Sequence, residues 1–141
     1  MNCSNPKEFL MSLPTDYTVD MAYKNNDVLL TPESRSYNTA KLNNFITNVQ
    51  REIPDCILIT TFGIDGPATT SVLNYDGNSL TFTYDNSRYS GTHDIRSFLV
   101  KRIYTKLSTN EFSTNLIYYA ETYDGYNFQI FRDVTFHNKS Y

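Results

Sequence analysis

The chain contains no tryptophan and only two cysteines among its 141 residues. Two cysteines are too few for a disulfide framework. Cys56 lies in an apolar run and is predicted to be a small, buried hydrophobic residue. Cys3 stands almost at the start, ahead of a polar stretch, as the lipidated cysteine of a bacterial lipoprotein does, although Asn2 fits the position before such a cysteine poorly. Cys3 is therefore a candidate lipidation residue, with an ordinary cysteine in a frayed terminus as the alternative.

The chain also lacks a basic cluster and a long apolar run. Its net charge is −3, and the densest basic run, from Arg96 to Lys106, is expected to be a solvated strand edge. Nucleic acids and anionic membranes select for a basic stripe that neutralises phosphates. No apolar run approaches the roughly 20 residues that cross a bilayer, and no basic-then-apolar leader is present. We therefore expect no nucleic-acid partner and no transmembrane segment.

Patterns that would indicate a metal or a cofactor are missing as well. The two histidines, His93 and His137, lie far apart, and no cysteine pair or EF-hand series has the spacing of metal ligands. The run Gly63-Ile64-Asp65-Gly66 lacks the glycine spacing and the following helix of a phosphate-binding loop. No nucleophile for covalent catalysis can be identified. We therefore expect no metal and no cofactor.

The chain is rich in tyrosine and in alternating polar and apolar residues. Its 12 tyrosines suit a half-exposed sheet, because the ring packs while the hydroxyl reaches water. The phrase Tyr-Asp-Gly occurs at Tyr75 and again at Tyr123, each time ahead of an alternating run. Asp-Gly supplies the positive φ angles of a tight hairpin turn, so both copies predict β-hairpins.

Alternation extends through most of the second half of the chain. Residues 95–107 fit the helical and the strand periods almost equally well, and their β-branched and aromatic residues favour a strand. In the run that follows Tyr75, the residues Leu80, Phe82 and Tyr84 are expected to face inward. The other predicted strands are 56–62, 68–74, 79–85, 116–122 and 126–132, and 27–31 is a short strand candidate.

One segment, 39–52, has the period of an amphipathic helix. Asn38 is predicted to cap its start, and Pro54 fixes its exit. The sequence therefore predicts an α+β fold: a mainly antiparallel meander sheet of five or six strands with one principal helix packed on one face. The apolar stripe of this helix consists of Leu42, Phe45, Ile46, Val49 and Ile53.

The chain is expected to form one domain. Residues 1–26 are predicted to be an N-terminal tether with short helical turns, the second of them capped by Thr18. Residues 27–141 are predicted to form the single α+β domain, because a chain of this length normally holds one core.

Functional groups are densest in the connection that follows the strand 79–85. Asp85 and Asp94 could hold Arg88, or could orient His93 for acid–base chemistry, and loops on a rigid sheet often carry binding residues. These four residues form the candidate polar site. The alternative is a turn-rich connection in which Asp, Asn and Ser bind their own backbone.

Five runs of the sequence, taken in order, are Met21 to Val28, Lys41 to Ile46, Ile59 to Pro67, Leu73 to Gly77 and Tyr84 to Arg88. Together they resemble a mostly Gram-positive bacterial family that is known only as a domain of unknown function. The family's late cysteines are missing here, which excludes a late disulfide. Asn26 also replaces the family's usual glycine, and Asp65-Gly66-Pro67 permutes its Gly-Asp-Pro loop. The resemblance implies an extracytoplasmic or cell-surface location and no established activity.

Three functions are consistent with these features. The first is a non-catalytic extracytoplasmic module that binds a protein or a cell-envelope component through its tyrosine-rich sheet surface and hairpin loops. The second is a small hydrolase or ligand-binding protein whose site lies in the 85–94 loop. The third is a cytosolic inhibitor or adaptor whose acidic surface meets a basic partner.

Overall fold

The computed structural model describes residues 1, 3–64, 66–91 and 94–134. These residues form one eight-stranded sheet with the strand order β2-β1-β3-β4-β5-β6-β7-β8. The strands are β1 (Val28–Leu30), β2 (Ser36–Tyr37), β3 (Asp55–Phe62), β4 (Ala68–Tyr75), β5 (Leu80–Asp85), β6 (Ile95–Thr109), β7 (Thr114–Thr122) and β8 (Asn127–Asp133). The helices are α1 (Pro6–Ser12), α2 (Val19–Lys24), α3 (Thr39–Gln50) and α4 (Ser87–Ser90).

The sheet is mixed and curls into a half-barrel. Each neighbouring pair from β3 to β8 is antiparallel, whereas β1 runs parallel to β3, with Val28 opposite Ile59. Ser36 on β2 reaches the far edge of the sheet, where its hydroxyl donates to the Arg132 carbonyl at 3.3 Å and accepts from the Val134 amide at 2.9 Å. The two edges of the sheet therefore approach one another.

The predicted fold class is wrong. It specified five or six mainly antiparallel strands under one principal helix, but the described chain is mostly sheet, with eight strands and a few short helices. No strand was predicted over residues 33–38, but this segment contains β2, which has only two residues and is too short to show a period. The parallel pair arises because α3 carries the chain across from β2 to β3, a crossover that alternation within single strands cannot reveal.

Several individual elements are nevertheless confirmed. Residues 95–107 lie within the 15-residue strand β6. Both Tyr-Asp-Gly phrases form hairpin turns, with φ angles of 102° at Gly77 and 87° at Gly125. In the first turn, the Asp76 carboxylate accepts hydrogen bonds from the amides of Asn78 and Ser79, and these bonds hold its pKa below the usual value.

Helix α3 packs against the concave face of the sheet. Leu42 and Phe45 are fully buried there among residues of β1, β3 and β4. Ile53, the last residue of the predicted stripe, lies beyond the helix and is 45% exposed. The predicted cap is also wrong: Asn38 adopts a left-handed conformation with φ 61°, and its side chain donates to the Asp27 carbonyl at 2.8 Å instead of accepting from the helix.

The convex face of the sheet is covered by the N-terminal segment. On α1, Leu10 is buried against Leu58 and Val72 of β3 and β4. Thr18 caps α2 as predicted, its hydroxyl accepting from the Met21 amide at 3.1 Å. Both short helices therefore contribute apolar side chains to the packing of the domain.

Cys3 and Cys56 are joined in a disulfide with a Cα–Cα distance of 6.1 Å. The prediction that Cys56 is a small, buried hydrophobic residue is therefore wrong, and Cys56 is only partly buried. A lipid thioether at Cys3 would need the sulfur that forms this bond, so the disulfide and lipidation exclude one another. Within the described residues, no helix has the length and apolar character that crossing a membrane requires.

Candidate functional site

Two of the four predicted site residues come together, and both are buried. The Arg88 guanidinium lies 3.7 Å from the Asp85 carboxylate, and both side chains are about 5% exposed or less. The same guanidinium donates to the Thr70 hydroxyl at 3.3 Å and to the Pro14 carbonyl at 2.8 Å. These partners lie on β4 and on the segment between α1 and α2. The pair therefore ties the N-terminal segment to the sheet.

The other two predicted residues do not join this pair in the described part of the chain. Asp94 accepts a hydrogen bond from Arg96 at 3.1 Å, and both side chains are substantially exposed. His93 lies outside the described residues.

A second buried carboxylate, that of Asp27, lies near the pair of Asp85 and Arg88 on the convex face of the sheet. It accepts hydrogen bonds from the Tyr17 hydroxyl at 2.7 Å, the Thr60 hydroxyl at 2.8 Å and the Asn25 side chain at 2.8 Å. Burial raises the pKa of Asp27 above its usual value, and the three hydrogen bonds oppose that rise. The Arg88 guanidinium lies 5.9 Å from the centre of the Tyr17 ring, so the two buried groups form one continuous polar network.

No sequence pattern indicated the Asp27 part of this network. Asp27 stands at the start of a short apolar strand, where a polar residue is ordinary. Its hydroxyl partners come from segments 10 and 33 residues away. Because each side chain in the network has at least one protein partner and is covered by the N-terminal segment, we interpret the network as structural.

The concave face also carries a second surface, which lies at the end of the half-barrel away from α3. Aromatic rings from β5, β6 and β8 lie side by side there. Ring centres are 6.2 Å apart for Tyr84 and Phe98, 5.3 Å for Phe98 and Phe128, and 5.4 Å for Phe82 and Phe128. Tyr126 continues the row at 5.7 Å from Phe128. These five residues are called the ring wall.

Polar side chains face the ring wall across a pocket of about 260 Å³. They are Thr61 on β3, Thr69 and Ser71 on β4, and Gln129 on β8. The Ser71 hydroxyl makes a long bond to the Ile59 carbonyl at 3.4 Å. The side chains of Thr61, Thr69 and Gln129 have no hydrogen-bond partner among the described residues, so they remain open to a ligand.

A wider cavity of about 500 Å³ continues from this pocket and shares Thr61, Thr69, Gln129 and Ile130 with it. Its further lining comes from the ends of β1 and β3, from Asn86 and Tyr89 near α4, and from Arg132 on β8. The two connected cavities are together called the mouth groove. Open ends of β-barrels are common ligand sites, and the size of the groove suits a small molecule.

Sequence patterns indicated only part of the mouth groove. Phe82 was predicted to face inward and does so, because it belongs to the buried core. The alternation of β6 and β8 also contained the signal for Phe98 and Phe128. The alternation could not indicate that the curl of the sheet brings these rings next to β5. Strand order and curvature depend on several strands together and cannot be predicted from one of them.

Two other surfaces are less suited to a ligand. A cleft of about 510 Å³ lies between α3 and β3, but Lys41 there already donates to the Asn26 carbonyl at 2.6 Å and Asn48 to Asp55 at 2.9 Å. On the outer face of β6 and β7, the rings of Tyr104 and Tyr119 stack at 5.4 Å.

On this outer face, Arg102 and Lys106 contact the two tyrosine rings, and Arg102 also pairs with Glu121. The Arg102 guanidinium lies 4.5 Å from the Tyr104 ring centre and donates to Glu121 at 2.6 Å. Lys106 lies within 6 Å of both tyrosine rings. The set Arg102, Tyr104, Lys106 and Tyr119 is called the outer tyrosine patch. In the described part of the chain, no group of three or more His, Cys, Asp or Glu side chains could hold a metal ion.

Comparisons with protein-family models, curated proteins and solved structures find no significant match to this chain. The resemblance to the bacterial family of unknown function therefore stays a prediction.

Proposed function

We propose that this chain is a non-catalytic, extracytoplasmic binding module that takes a small molecule into the mouth groove. The observation that carries the proposal is the pairing of the ring wall with open hydrogen-bonding groups across one cavity. Ligand pockets are mostly apolar with a few placed polar groups that fix orientation. Aromatic rings at 5 to 6 Å offer flat apolar contact, so a ligand that contains a planar ring or a sugar-like ring fits best.

The disulfide supports the extracytoplasmic part of this proposal. Disulfides persist in oxidising compartments and are rare in the cytosol of mesophiles. The bond between Cys3 and Cys56 therefore favours a secreted or surface module over the cytosolic adaptor. The resemblance to the bacterial family points to the same location.

The buried pairing of Asp85 and Arg88 argues for binding rather than hydrolysis. Both groups are held by each other, by Thr70 and by backbone atoms, away from the mouth groove. A hydrolase site in the 85–94 loop would need these groups exposed to a substrate.

Phe98 and Leu99 provide a matched pair for the test, because neighbouring strand residues face opposite sides of the sheet. Phe98 belongs to the ring wall, whereas Leu99 is 52% exposed. Saturation-transfer NMR against a panel of ring-containing small molecules should find binders, and Phe98→Ala should weaken them while Leu99→Ala should not. Equal weakening by both variants, or a panel without binders, would contradict the proposal.

A second candidate uses the outer tyrosine patch to bind a protein or a cell-envelope polymer. Tyrosine and arginine are both enriched at protein interfaces, and the patch contains Tyr104, Tyr119 and Arg102. Isolated cell walls should retain the wild-type protein and release Tyr104→Ala if this candidate is correct. Retention of Tyr104→Ala at the wild-type level would exclude the patch.

A further inference from the structure

One edge of β6 is unpaired over the second half of the strand. Strand β5 pairs with β6 only from Ile95 to Val100, and no other strand of the described residues pairs with that side of β6. The run from Arg102 to Thr109 therefore pairs with β7 alone. From Thr105 onward, every residue of this run is exposed. An exposed, unpaired edge is a site where another strand can add to a sheet.

The backbone groups on this free edge belong to alternate residues. At the hairpin turn, the Asn110 amide donates to the Ser113 carbonyl at 2.9 Å, so Asn110 directs its backbone groups toward β7. The register of β6 with β7 is regular from Arg102 to Thr109, and successive residues of a strand direct their backbone groups to opposite edges. The residues whose amides and carbonyls face the free edge are therefore Ile103, Thr105, Leu107 and Thr109.

The free edge lacks several features with which proteins block strand addition. These features include proline, a bulge within the edge and charges that point inward. The run contains no proline, and the one irregularity in its register with β7 lies before Arg102. Its two charged residues, Arg102 and Lys106, lie on the outer face beside the ring of Tyr104. The inward face of the edge is therefore uncharged.

A second copy of the same edge is complementary to this one. When two copies pair antiparallel around a two-fold axis at Thr105, Ile103 lies opposite Leu107. On the outer face, Tyr104 then lies opposite Lys106. Apolar side chains therefore meet on the inward face, and each lysine meets an uncharged ring on the outer face. Directly opposite side chains of this kind stabilise an antiparallel pair.

Charge selects this register over its neighbours. An axis at Tyr104 would place Arg102 opposite Lys106, and an axis at Lys106 would place two lysines opposite each other. Like charges in directly opposite positions destabilise a sheet. An axis further along in either direction would shorten the paired run, because the bulge ends it on one side and the hairpin turn on the other.

We infer that this chain forms a two-fold symmetric dimer by strand addition between the free edges of β6, with Thr105 on the axis. The two copies of Thr105 exchange backbone hydrogen bonds, and Ile103 of each copy does so with Leu107 of the other. The contact does not involve the mouth groove, so it is independent of the proposed function. A single strand pair is expected to bury less than the about 1,200 Å² of the smallest stable interfaces. We therefore expect a weak dimer, with a Kd on the order of 0.1 mM.

Amide hydrogen exchange in the wild-type protein tests the pairing without any substitution. Raising the protein concentration from about 50 µM to about 1 mM should slow exchange about threefold at the amides of Ile103, Thr105 and Leu107, because the dimer protects them. The amides of Tyr104 and Lys106 face β7 and should not change. If exchange at all five amides is independent of concentration and sedimentation shows a monomer at about 1 mM, the dimer is refuted and the free edge is left to a strand of another protein.

Leu107→Lys and Leu99→Lys form a matched pair on one strand. The two leucines are 58% and 52% exposed, but Leu99 lies between β5 and β7, whereas Leu107 lies on the free edge. Leu107→Lys should weaken the dimer about tenfold or more, because a lysine on an edge opposes strand addition. Leu99→Lys should leave the dimer unchanged. Equal effects of the two variants, with both folded by circular dichroism, would place the interface elsewhere.

Cysteine cross-linking tests the register. The native cysteines are joined to each other, so an added cysteine supplies the free thiol. Thr105→Cys lies opposite itself in the dimer, within the roughly 4.4–6.8 Å between Cα atoms that a disulfide spans. Leu107→Cys is displaced from its own copy by about 13 Å along the strands. Mild oxidation should therefore cross-link Thr105→Cys and spare Leu107→Cys, and equal or reversed yields would overturn the axis at Thr105.

Discussion

The Tyr17 hydroxyl donates a 2.7 Å hydrogen bond to the Asp27 carboxylate in the interior of the protein. Tyr17 lies in the N-terminal segment, just before α2, whereas Asp27 lies just before strand β1 of the sheet. The contact therefore fixes the N-terminal segment on the convex face of the sheet. Burial and this bond together raise the pKa of Tyr17 above its usual value.

Replacing Tyr17 by Phe should destabilise the protein by about 1–3 kcal/mol, because the buried carboxylate loses a donor that water cannot replace. The free energy of unfolding in urea measures this loss. Tyr123→Phe serves as the control, since Tyr123 is 67% exposed and should change stability by less than about 0.5 kcal/mol. Similar values for the two variants would show that the Tyr17 hydroxyl is not a structural contact.

Asp27 should make stability depend on pH. Burial raises its pKa in the folded state above the usual value, so the folded protein holds this proton more tightly than the unfolded chain. The contribution is therefore complete below the unfolded pKa and is lost as the pH rises through the folded pKa. Asp27→Asn should remove this part of the pH dependence above about pH 4. Superimposable stability–pH curves for wild type and Asp27→Asn would contradict the argument.

Local patterns predicted the local structure of this chain well. The stripe that contains Leu42 and Phe45 identified α3, and the two Tyr-Asp-Gly phrases identified hairpin turns. Strand β6 was correctly favoured over a helix because its residues are β-branched and aromatic. In each case the sequence pattern lies within the same short segment as the helix, turn or strand that it predicts.

Long-range arrangement was not predictable in this way. The parallel pairing of β1 with β3 depends on a crossover through α3, and the disulfide joins residues 53 positions apart. Arg88 was predicted to lie in a polar connection, either in a candidate site with Asp85 and Asp94 or in a turn-rich loop. Its side chain instead lies under the N-terminal segment. No local pattern indicates that this segment packs on the sheet.

Arg88→Ala should therefore be strongly destabilising, in contrast to the small effect that a solvated loop implies. Removal of the guanidinium leaves the buried Asp85 carboxylate without its cation, and loss of one partner of a buried ion pair costs about 3–5 kcal/mol. Arg96→Ala is the matched control, because Arg96 pairs with Asp94 in solvent and should cost about 0–1 kcal/mol. Chemical denaturation of both variants decides between the two environments.

The face of α3 that contacts the sheet can be tested with two substitutions on one helix. Leu42→Asp should prevent folding, because it places a charge among fully buried apolar residues. Asn44→Asp lies on the exposed side of the same helix and should leave the melting temperature nearly unchanged. Cooperative melting of Leu42→Asp near the wild-type temperature would show that the assigned helix face is incorrect.

The Cys3–Cys56 disulfide should stabilise the protein by about 4 kcal/mol in the chain-entropy description, because it closes a loop across a separation of 53 residues. The double variant Cys3→Ser, Cys56→Ser should lose up to that amount of unfolding free energy in urea, and a reductant should lower wild-type stability without affecting the variant.

Alkylation followed by mass spectrometry distinguishes a disulfide at Cys3 from a lipid at Cys3. A disulfide leaves both thiols unreactive until reduction, whereas a lipid on Cys3 leaves Cys56 free to react. Immediate alkylation of Cys56 in protein isolated under oxidising conditions would show that the bond is absent, and with it the support it gives to an extracytoplasmic location.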